Sequence, residues 1–296
     1  MQPSPAPTHR RSAEVLRLAV VQLAPVLREV DRNARSIAER AREAGADLVL
    51  TPELSLTGYD VRDAVHDLAR VVEPGAALDV PGLDDVPGHV VIGCIEAARR
   101  GPFNTAAVVS GGTVAFRHRK LYLPTYGMFD EARWFGRGGN IDVWTTPEGW
   151  RVGLLICEDL WHPALAYVLA ARGIDVLLVQ AAAPGRGAWQ GGEHTRFASA
   201  DVWERIARAT AQLYGIYVAL CNRVGVEGAV TFAGGSVVAA PDGSVVVRGR
   251  SDGPEVLAVE LNRHSVRAAT RPYSHARDDD VRLIIHELQR TLEEQR

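Results

Sequence analysis

The stretch Arg151–Pro163 reads RVGLLICEDLWHP. Its first part, RVGLLI, is a short apolar run of the kind that forms a buried strand. Cys157 stands where that run gives out. His162–Ala171 then reads as a helix closed by Gly173, and Asp175–Gln180 as the next strand. A strand, a helix and a further apolar strand in succession are the pattern of α/β layers.

Working outward, strands and helices alternate. Leu16–Gln22 (LRLAVVQ) and Asp47–Thr51 (DLVLT) are strands, and Asp31–Ala44 between them is a helix stopped by Gly45. Val71–Gly88 is dense in Gly, Pro and Asp and reads as loop. His89–Ile95 is a strand; Asn104–Ser110 and Thr113–Arg117 form a hairpin across Gly111–Gly112. Tyr122–Ile141 has no clean period and is expected to be a folded loop. Glu193–Leu213 is expected to be a long helix and Ile216–Leu220 a strand. Further strands fall at Gly235–Ala239, Ser244–Arg248 and Val256–Glu260, and Asp280–Glu294 is a terminal amphipathic helix. Together these predict α/β layers over a mixed sheet core. No linker or internal repeat divides the chain, so one domain over residues 15–296 is expected behind a disordered tail of residues 1–14.

Composition narrows the function classes. The 296 residues are 47% hydrophobic and 23% charged, enough for a large core. A net charge of -3 with mixed acids and bases gives no support for a nucleic-acid or anionic-membrane partner. No run approaches the ~18 apolar residues that span a bilayer. Arg10–Arg11 ahead of an apolar stretch has the outline of an export signal, but Arg17 interrupts the stretch and no small-residue cleavage site follows. Cys94, Cys157 and Cys221 are too scattered for a disulfide framework, which favours a reducing, cytoplasmic compartment. His89, His118, His162 and His194 fall in no ligand-spaced pair, so no metal and no cofactor are expected.

Three residues stand where apolar strands end: Glu53 after DLVLTP, Lys120 after the hairpin through RHRK, and Cys157 after RVGLLI. Ligands collect at strand ends in α/β folds. A thiol, a carboxylate and an ammonium gathered there would supply a nucleophile, a base and an oxyanion partner. Each also has a plain reading. A cysteine ending a strand is commonly core, as Cys94 and Cys221 are read. Glu53 could be a carboxylate at a helix start, and Lys120 one more solvated base. A Cys–His pair using His118 or His162 is the competing mechanism.

The neighbours of these residues carry a resemblance. PELSLTGY (Pro52–Tyr59), RKLYLPTYGMFDEARWF (Arg119–Phe135) and GLLICEDLWHP (Gly153–Pro163) resemble the three catalytic blocks of the nitrilase superfamily of carbon–nitrogen hydrolases, in that family's order. AVVQLAP, FNTAAVVSGGTVAFRHRK, NRVGVEG and FAGGSVVAAPDG extend the likeness over nearly everything from Leu16 to about Leu283. The resemblance implies a four-layer αββα sandwich, usually a homodimer. It also implies Glu53 as general base, Lys120 as oxyanion partner, Cys157 as nucleophile and Glu131 as a second glutamate beside the lysine. The backbone N–H of Glu158 would be a second oxyanion donor.

On this reading the substrate is a small linear amide or N-carbamoyl compound, with water as the second reactant and a Cys thioester between them. Nitriles are a less common alternative. Tyr59, Tyr126, Phe129 and Trp134 are candidates for the pocket wall, with packing between loop and sandwich the plain alternative, and Trp161 and Trp189 are read as packing residues. The blocks YLPTYGMFDEARWF and CEDLW look closest to the glutaminase domain of glutamine-dependent NAD synthetases, a reading in which ammonia would go to a separate synthetase. Two features weigh against glutamine. No GxxxxGK[ST] loop or other nucleotide fingerprint is visible and the chain ends after one amidase-sized unit. Gln180-Ala181-Ala182-Ala183-Pro184 also stands where that branch has Asn-x-Ser-Pro, whose serine helps hold the amino-acid end. The apolar stripe of the terminal helix (Val281, Leu283, Ile284, Ile285, Leu288, Leu292) is expected either to cover its own sandwich or to cross a dimer interface.

Overall fold

Alternation along one strand sets up two interfaces. In β1 (Val15–Gln22), Leu18 and Val20 point to one face of the sheet while Ala19 and Val21 point to the other, and all four are buried. A strand buried on both faces needs a layer on each side. The computed structural model, which describes residues 14–189, 196–270 and 278–295, supplies both.

On the outer side lies α1 (Val30–Ala44). Its Ala34, Ile37, Ala38 and Ala41 recur at helical spacing and join Ala19, Val21, Val49, Val90 and Ile92 in one apolar cluster. Gly45 ends the helix in the left-handed conformation at φ 55°. On the inner side, Leu18, Val20, Leu48, Leu50, Val91 and Val108 meet Leu154, Ile156, Leu178 and Val179 of a second sheet in the main core. Outside that second sheet lie α4 (Pro163–Ala171) and α5 (Ala198–Tyr214), whose Leu169 and Ala207 belong to the same core. The result is a helix–sheet–sheet–helix sandwich.

The first sheet contains β1, β2 (Leu48–Leu50), β3 (His89–Glu96), β4 (Phe103–Ser110), β5 (Thr113–Arg119) and the late strand β16 (Glu255–Asn262), in the order β16-β1-β2-β3-β4-β5. The second contains β6 (Val143–Thr145), β7 (Arg151–Ile156), β8 (Val176–Ala181), β11 (Tyr217–Asn222), β14 (Val237–Ala239) and β15 (Val245–Arg248), in the order β15-β14-β11-β8-β7-β6. Each sheet has three parallel strands at its centre (β1-β2-β3 and β7-β8-β11) flanked by antiparallel ones. Two small ribbons lie outside the sheets: β9 (Ala188–Trp189) with β10 (Arg196–Phe197), and the hairpin of β12 (Val224–Glu227) with β13 (Val230–Ala233).

Several elements differ from expectation. The long helix begins at Ala198, because Arg196 and Phe197 pair with Trp189 and Ala188 instead of starting it. Glu193–Thr195, at the front of the expected helix, lies outside the described residues. A four-residue helix, α2 (Val65–Leu68), follows the turn after β2, and the Tyr122–Ile141 loop contains one helical turn, α3 (Glu131–Trp134); both are too short to leave a period in the sequence. The β12–β13 hairpin and α6 (Arg263–Thr270) are further elements beyond those expected. The N-terminal tail lies outside the described residues except for Glu14, whose carbonyl accepts the N–H of Arg263.

The terminal helix, α7 (Val281–Glu294), starts at Asp280, whose side chain accepts the N–H groups of Arg282 and Leu283 at 3.0 Å each. Its apolar stripe does not cover the sandwich: Val281, Leu283, Ile284, Ile285, Leu288 and Leu292 are 36–64% exposed. Among the described residues, no helix is long and apolar enough to cross a membrane.

One glycine fixes how the segment after β2 sits on the sheet. A Cβ on Gly93 would lie 2.3 Å from the nitrogen of Leu54 and 2.6 Å from the carbonyl oxygen of Pro52. Both contacts are backbone, so neither can yield cheaply. Gly93→Ala is therefore expected to destabilise the fold by about 3 kcal/mol, the upper range for an overpacked core. Chemical denaturation of the variant beside the parent chain measures it, and an unchanged midpoint would show that the segment can lift away.

Candidate active site

Glu53, Lys120 and Cys157 arrive from three strand ends on two sheets. β2 gives out at Leu50, and Thr51 keeps the chain in register by donating both its N–H and its hydroxyl to the carbonyl of Val91. Ser55 bonds back to Thr51 and accepts the N–H of Gly93, while Leu56 donates to the carbonyl of Gly93. This tight turn, with Leu54 at φ 49°, leaves Glu53 wholly buried over the sheet end. Gln180 at the end of β8 donates to the carbonyl of Thr51 at 2.9 Å, tying this turn to the second sheet.

Lys120 follows β5. Its N–H donates to the carbonyl of Asn104 at 2.9 Å and its carbonyl accepts the N–H of Gly138 at 2.8 Å, so backbone bonds on both sides set its direction. The ammonium lies fully buried, and Nζ donates to Oε1 of Glu53 and to Oε1 of Glu131, each at 2.7 Å. Burial alone would lower the lysine pKa. The two carboxylates, Glu131 foremost, outweigh it and hold the group well above its ordinary value. Burial also pushes Glu131 up to about 7, with Lys120 opposing and Glu53 adding to the rise.

Cys157 ends β7 at φ 49°, a left-handed conformation rare outside glycine. It opens a short turn of 3₁₀ helix, Cys157–Trp161. Burial first, then the charge of Glu53, pushes its thiol well above the ordinary cysteine range, while Lys120 and the backbone N–H of Ala182 pull it down. Cys94 and Cys221 are raised by burial as well. Cys94 bonds the carbonyl of Thr105 and Cys221 that of Val21, away from this cluster.

The other expected residues divide. Tyr59 joins the cluster by donating its hydroxyl to Oε1 of Glu131. Phe129 lies edge-on to the rings of Tyr59 and Tyr126. Tyr126 is 54% exposed, and its hydroxyl donates to Oε2 of Glu158 at 2.7 Å; burial and that bond raise its pKa to about 12. A cleft of about 400 Å³ is lined by Tyr59, Arg62, Met128, Glu131, Trp134 and Phe135, among others, and it reaches the cluster through Glu131 rather than through Cys157 or Lys120. Trp161 packs edge-on against Trp203 yet is 44% exposed, and the side chain of Trp189 lies outside the described residues. The histidines are otherwise engaged. His118 bonds Asp159 at 3.3 Å, and His162 stacks on Tyr122 at 3.4 Å between centroids. His194 lies outside the described residues, and among those described no three His, Cys, Asp or Glu side chains gather as a metal site.

Two further residues complete the site. Asn104 donates its amide to Oε1 of Glu53 at 2.8 Å. Asp159 is wholly buried and accepts the N–H groups of Leu121 and Tyr122 on one oxygen and of Ile156 on the other. It thus clasps the chain after Lys120 to the turn at Cys157. Nothing in the spacing marked either residue, although both lie in the quoted blocks.

A buried thiol that feels the charge of Glu53, whose Oε2 has no partner among the described residues, and of the Lys120 ammonium is a set of groups suited to nucleophilic attack on a polarised carbon. The family profile described as Carbon-nitrogen hydrolase matches residues 17–271. The chain belongs to the carbon-nitrogen hydrolase family. It is 32% identical over 252 residues to a glutamine-dependent NAD(+) synthetase of Rhodobacter capsulatus, an alignment covering 83% of this chain and 44% of that protein. The chain thus spans less than half the length of that relative. It is also 28% identical over 268 residues to a nitrilase of Pyrococcus abyssi, covering 86% of this chain and 92% of that protein. Among solved structures, a carbon-nitrogen hydrolase from Helicobacter pylori G27 superposes with a TM-score of 0.76 at 22% identity, over 92% of this chain and 97% of the other. This carbon-nitrogen hydrolase has the two-sheet layered fold of its relatives.

The charges around the thiol make a prediction that needs no substrate. Cys157 is held largely as the thiol at neutral pH, and Lys120 is the cation that lowers its pKa. Alkylation of Cys157 by iodoacetamide, followed by peptide mass spectrometry, is expected to keep rising above pH 9. In Lys120→Met the profile is expected to move up by at least about one pH unit, as for the loss of a neighbouring opposite charge. An unmoved profile would mean that Lys120 does not act on the thiol.

Proposed function

We propose that this enzyme cleaves the carbon–nitrogen bond of a small linear amide or N-carbamoyl compound through a thioester on Cys157. The observation that carries the reading is the buried ammonium of Lys120 held between Glu53 and Glu131 at 2.7 Å from each. In the proposed cycle, Oε2 of Glu53 takes the thiol proton as the sulfur attacks the carbonyl carbon. Lys120 and the backbone N–H of Glu158 stabilise the oxyanion. Glu53 passes the proton to the leaving nitrogen, which departs as ammonia or an amine. Glu53 then takes a proton from the water that opens the thioester and returns it to the departing sulfur as the acid is released. Glu131 holds Lys120. Tyr59, Tyr126 and Phe129 are proposed to border the substrate. A reducing, cytoplasmic setting fits three free thiols.

The choice of substrate rests on the end of β8. The N–H of Ala182 bonds the thiol sulfur, and Ala181, Ala182 and Ala183, the residues that follow Gln180, carry no polar side-chain group. A pocket wall without a polar partner discriminates weakly among apolar amides and gives a polar amino-acid end nothing to bond. A second reading has its own support: the identity to glutamine-dependent NAD(+) synthetase favours a glutaminase that supplies ammonia to a synthetase.

A matched panel of aliphatic and aromatic amides, N-carbamoyl amines, nitriles and glutamine, assayed for ammonia release, separates the two. The expected result is turnover of several amides, with glutamine no better than the median, and none in Cys157→Ala. A hundredfold preference for glutamine would replace this reading with the glutaminase one, and turnover by Cys157→Ala would end the thiol mechanism.

A homodimer that buries the exposed stripe of α7 is part of the proposal. Light scattering of the full chain and of a chain truncated before Asp278 is expected to give a dimer and a monomer, respectively. A dimer from both would remove α7 from the interface.

A further inference from the structure

We propose that Glu227, on the β12–β13 hairpin, is a positioning residue for Lys120 that acts through Tyr59 and Glu131. An ammonium has three N–H donors. Two of those on Lys120 are taken by Glu53 and Glu131, which leaves one to point at a substrate oxygen. The direction of that third donor is therefore set by where the two carboxylates sit. Glu53 is held by a tight turn and by Asn104. Glu131 opens a single helical turn inside a loop, where its N–H donates to the carbonyl of Pro124 and its carbonyl accepts from Phe135, but no tight turn or side-chain amide holds its carboxylate as they hold that of Glu53. Its bonding oxygen takes one further partner, the hydroxyl of Tyr59.

Tyr59 is in turn held from the hairpin. Oε1 of Glu227 accepts the backbone N–H groups of Tyr59 at 3.0 Å and of Asp60 at 2.7 Å. Its Oε2 accepts from the buried guanidinium of Arg223 at 2.9 Å. That guanidinium lies 4.0 Å over the ring of Phe232, and Phe232 meets the ring of Tyr59 edge-on. Tyr59 is thus fixed by its backbone through Glu227 and by its ring through Phe232. Gly58, at φ 77°, permits the approach: a Cβ there would lie 2.7 Å from Oε2 of Glu227. The hairpin is also tied to the other side of the site, since Ala233 donates to the carbonyl of Ala183 and Arg223 to that of Ala181. If Glu227 served only to neutralise Arg223, it would have no need of the Tyr59 and Asp60 amides.

The inference rests on the proposed role of Lys120, and the test keeps the two apart. Glu227→Ala, Glu227→Gln, Tyr59→Phe and the double variant Tyr59→Phe/Glu227→Ala are compared with the parent by steady-state kinetics on the best amide of the panel. The iodoacetamide profile of Cys157, which needs no substrate, is recorded beside them. Glu227→Ala is expected to lower kcat about 10- to 100-fold, the scale of a small misplacement of a catalytic group, with KM little changed. Its thiol profile should move towards that of Lys120→Met. Glu227→Gln keeps the shape and one acceptor oxygen, so it should show a smaller change in the same direction, and it carries the test if the alanine variant does not fold. Because both residues act along one path, the double variant should be no worse than the worse single variant. The proposal is overturned if the Glu227 variants lose thermal stability but keep parental kcat and thiol profile, or if the losses multiply in the double variant. An unmoved profile in Lys120→Met would instead remove the underlying reading of Lys120.

Discussion

A lysine ammonium with no exposure to water cannot stand alone. Stripped of its hydration, it would give up its proton or unfold its surroundings. Lys120 avoids both because two carboxylates reach it at 2.7 Å. Two carboxylates around one cation leave an excess of negative charge, and the cluster holds it by burying Glu131 to the point where that group binds a proton up to about 7. The same excess bears on Cys157. A thiolate would add another negative charge beside Glu53, so the sulfur stays protonated until something draws the proton away. In the proposed cycle that demand comes from the substrate, whose developing oxyanion gives Lys120 a new partner as Glu53 takes the proton.

Such a cluster tolerates little play, and its members come from different sheets. Three ties limit the movement between them. Asp159 clasps the chain beyond Lys120 to the turn at Cys157 with three backbone bonds. Gln180 links the end of β8 to the carbonyl of Thr51 just ahead of Glu53. Gly93 lets the Glu53 turn lie on β3 closer than any side chain would allow. Replacing a buried ion pair by well-packed apolar residues is often neutral or stabilising, whereas removing one partner typically costs about 3–5 kcal/mol. Stability alone is therefore a weak reason for this cluster, and chemistry is the better one.

The layers were legible because their signal is repetition. Leu18 and Val20 against Ala19 and Val21, and Ala34, Ile37, Ala38 and Ala41 on α1, recur at the periods of strand and helix. The reactive residues were legible as chemical types at strand ends, sharpened by the blocks around them. Their supports were not. Asp159, Asn104 and Glu227 act on partners more than 30 residues distant, and a single carboxylate or amide in a sequence carries no mark of such a partner. Short elements failed for a related reason: a four-residue turn such as α3 completes barely one period. Arg196 and Phe197 fall inside the expected helix by their sequence but pair as a strand with a segment that no local pattern identifies.

The same contrast separates reaction from substrate. The cluster of Lys120, Glu53 and Glu131 sits in the buried interior at the ends of both sheets, where every member depends on several others. The residues proposed to border the substrate are different in kind: an exposed Tyr126 tethered to Glu158 by one bond, Phe129 on a loop, and the run of alanines that follows Gln180. Side chains of this sort can change with little effect on the charge balance beneath them, because the bonds of Lys120 go to Glu53 and Glu131 and not to them. A relative named as a nitrilase and another named as a glutamine-dependent NAD(+) synthetase each align with more than four-fifths of this chain, which fits a common interior under differing rims. Tyr59 is the exception, for its ring borders the rim while its hydroxyl holds Glu131. Whatever fixes Tyr59 therefore acts on the interior and the rim together, and the β12–β13 hairpin is the one described element that bonds to its backbone and to the end of β8 alike.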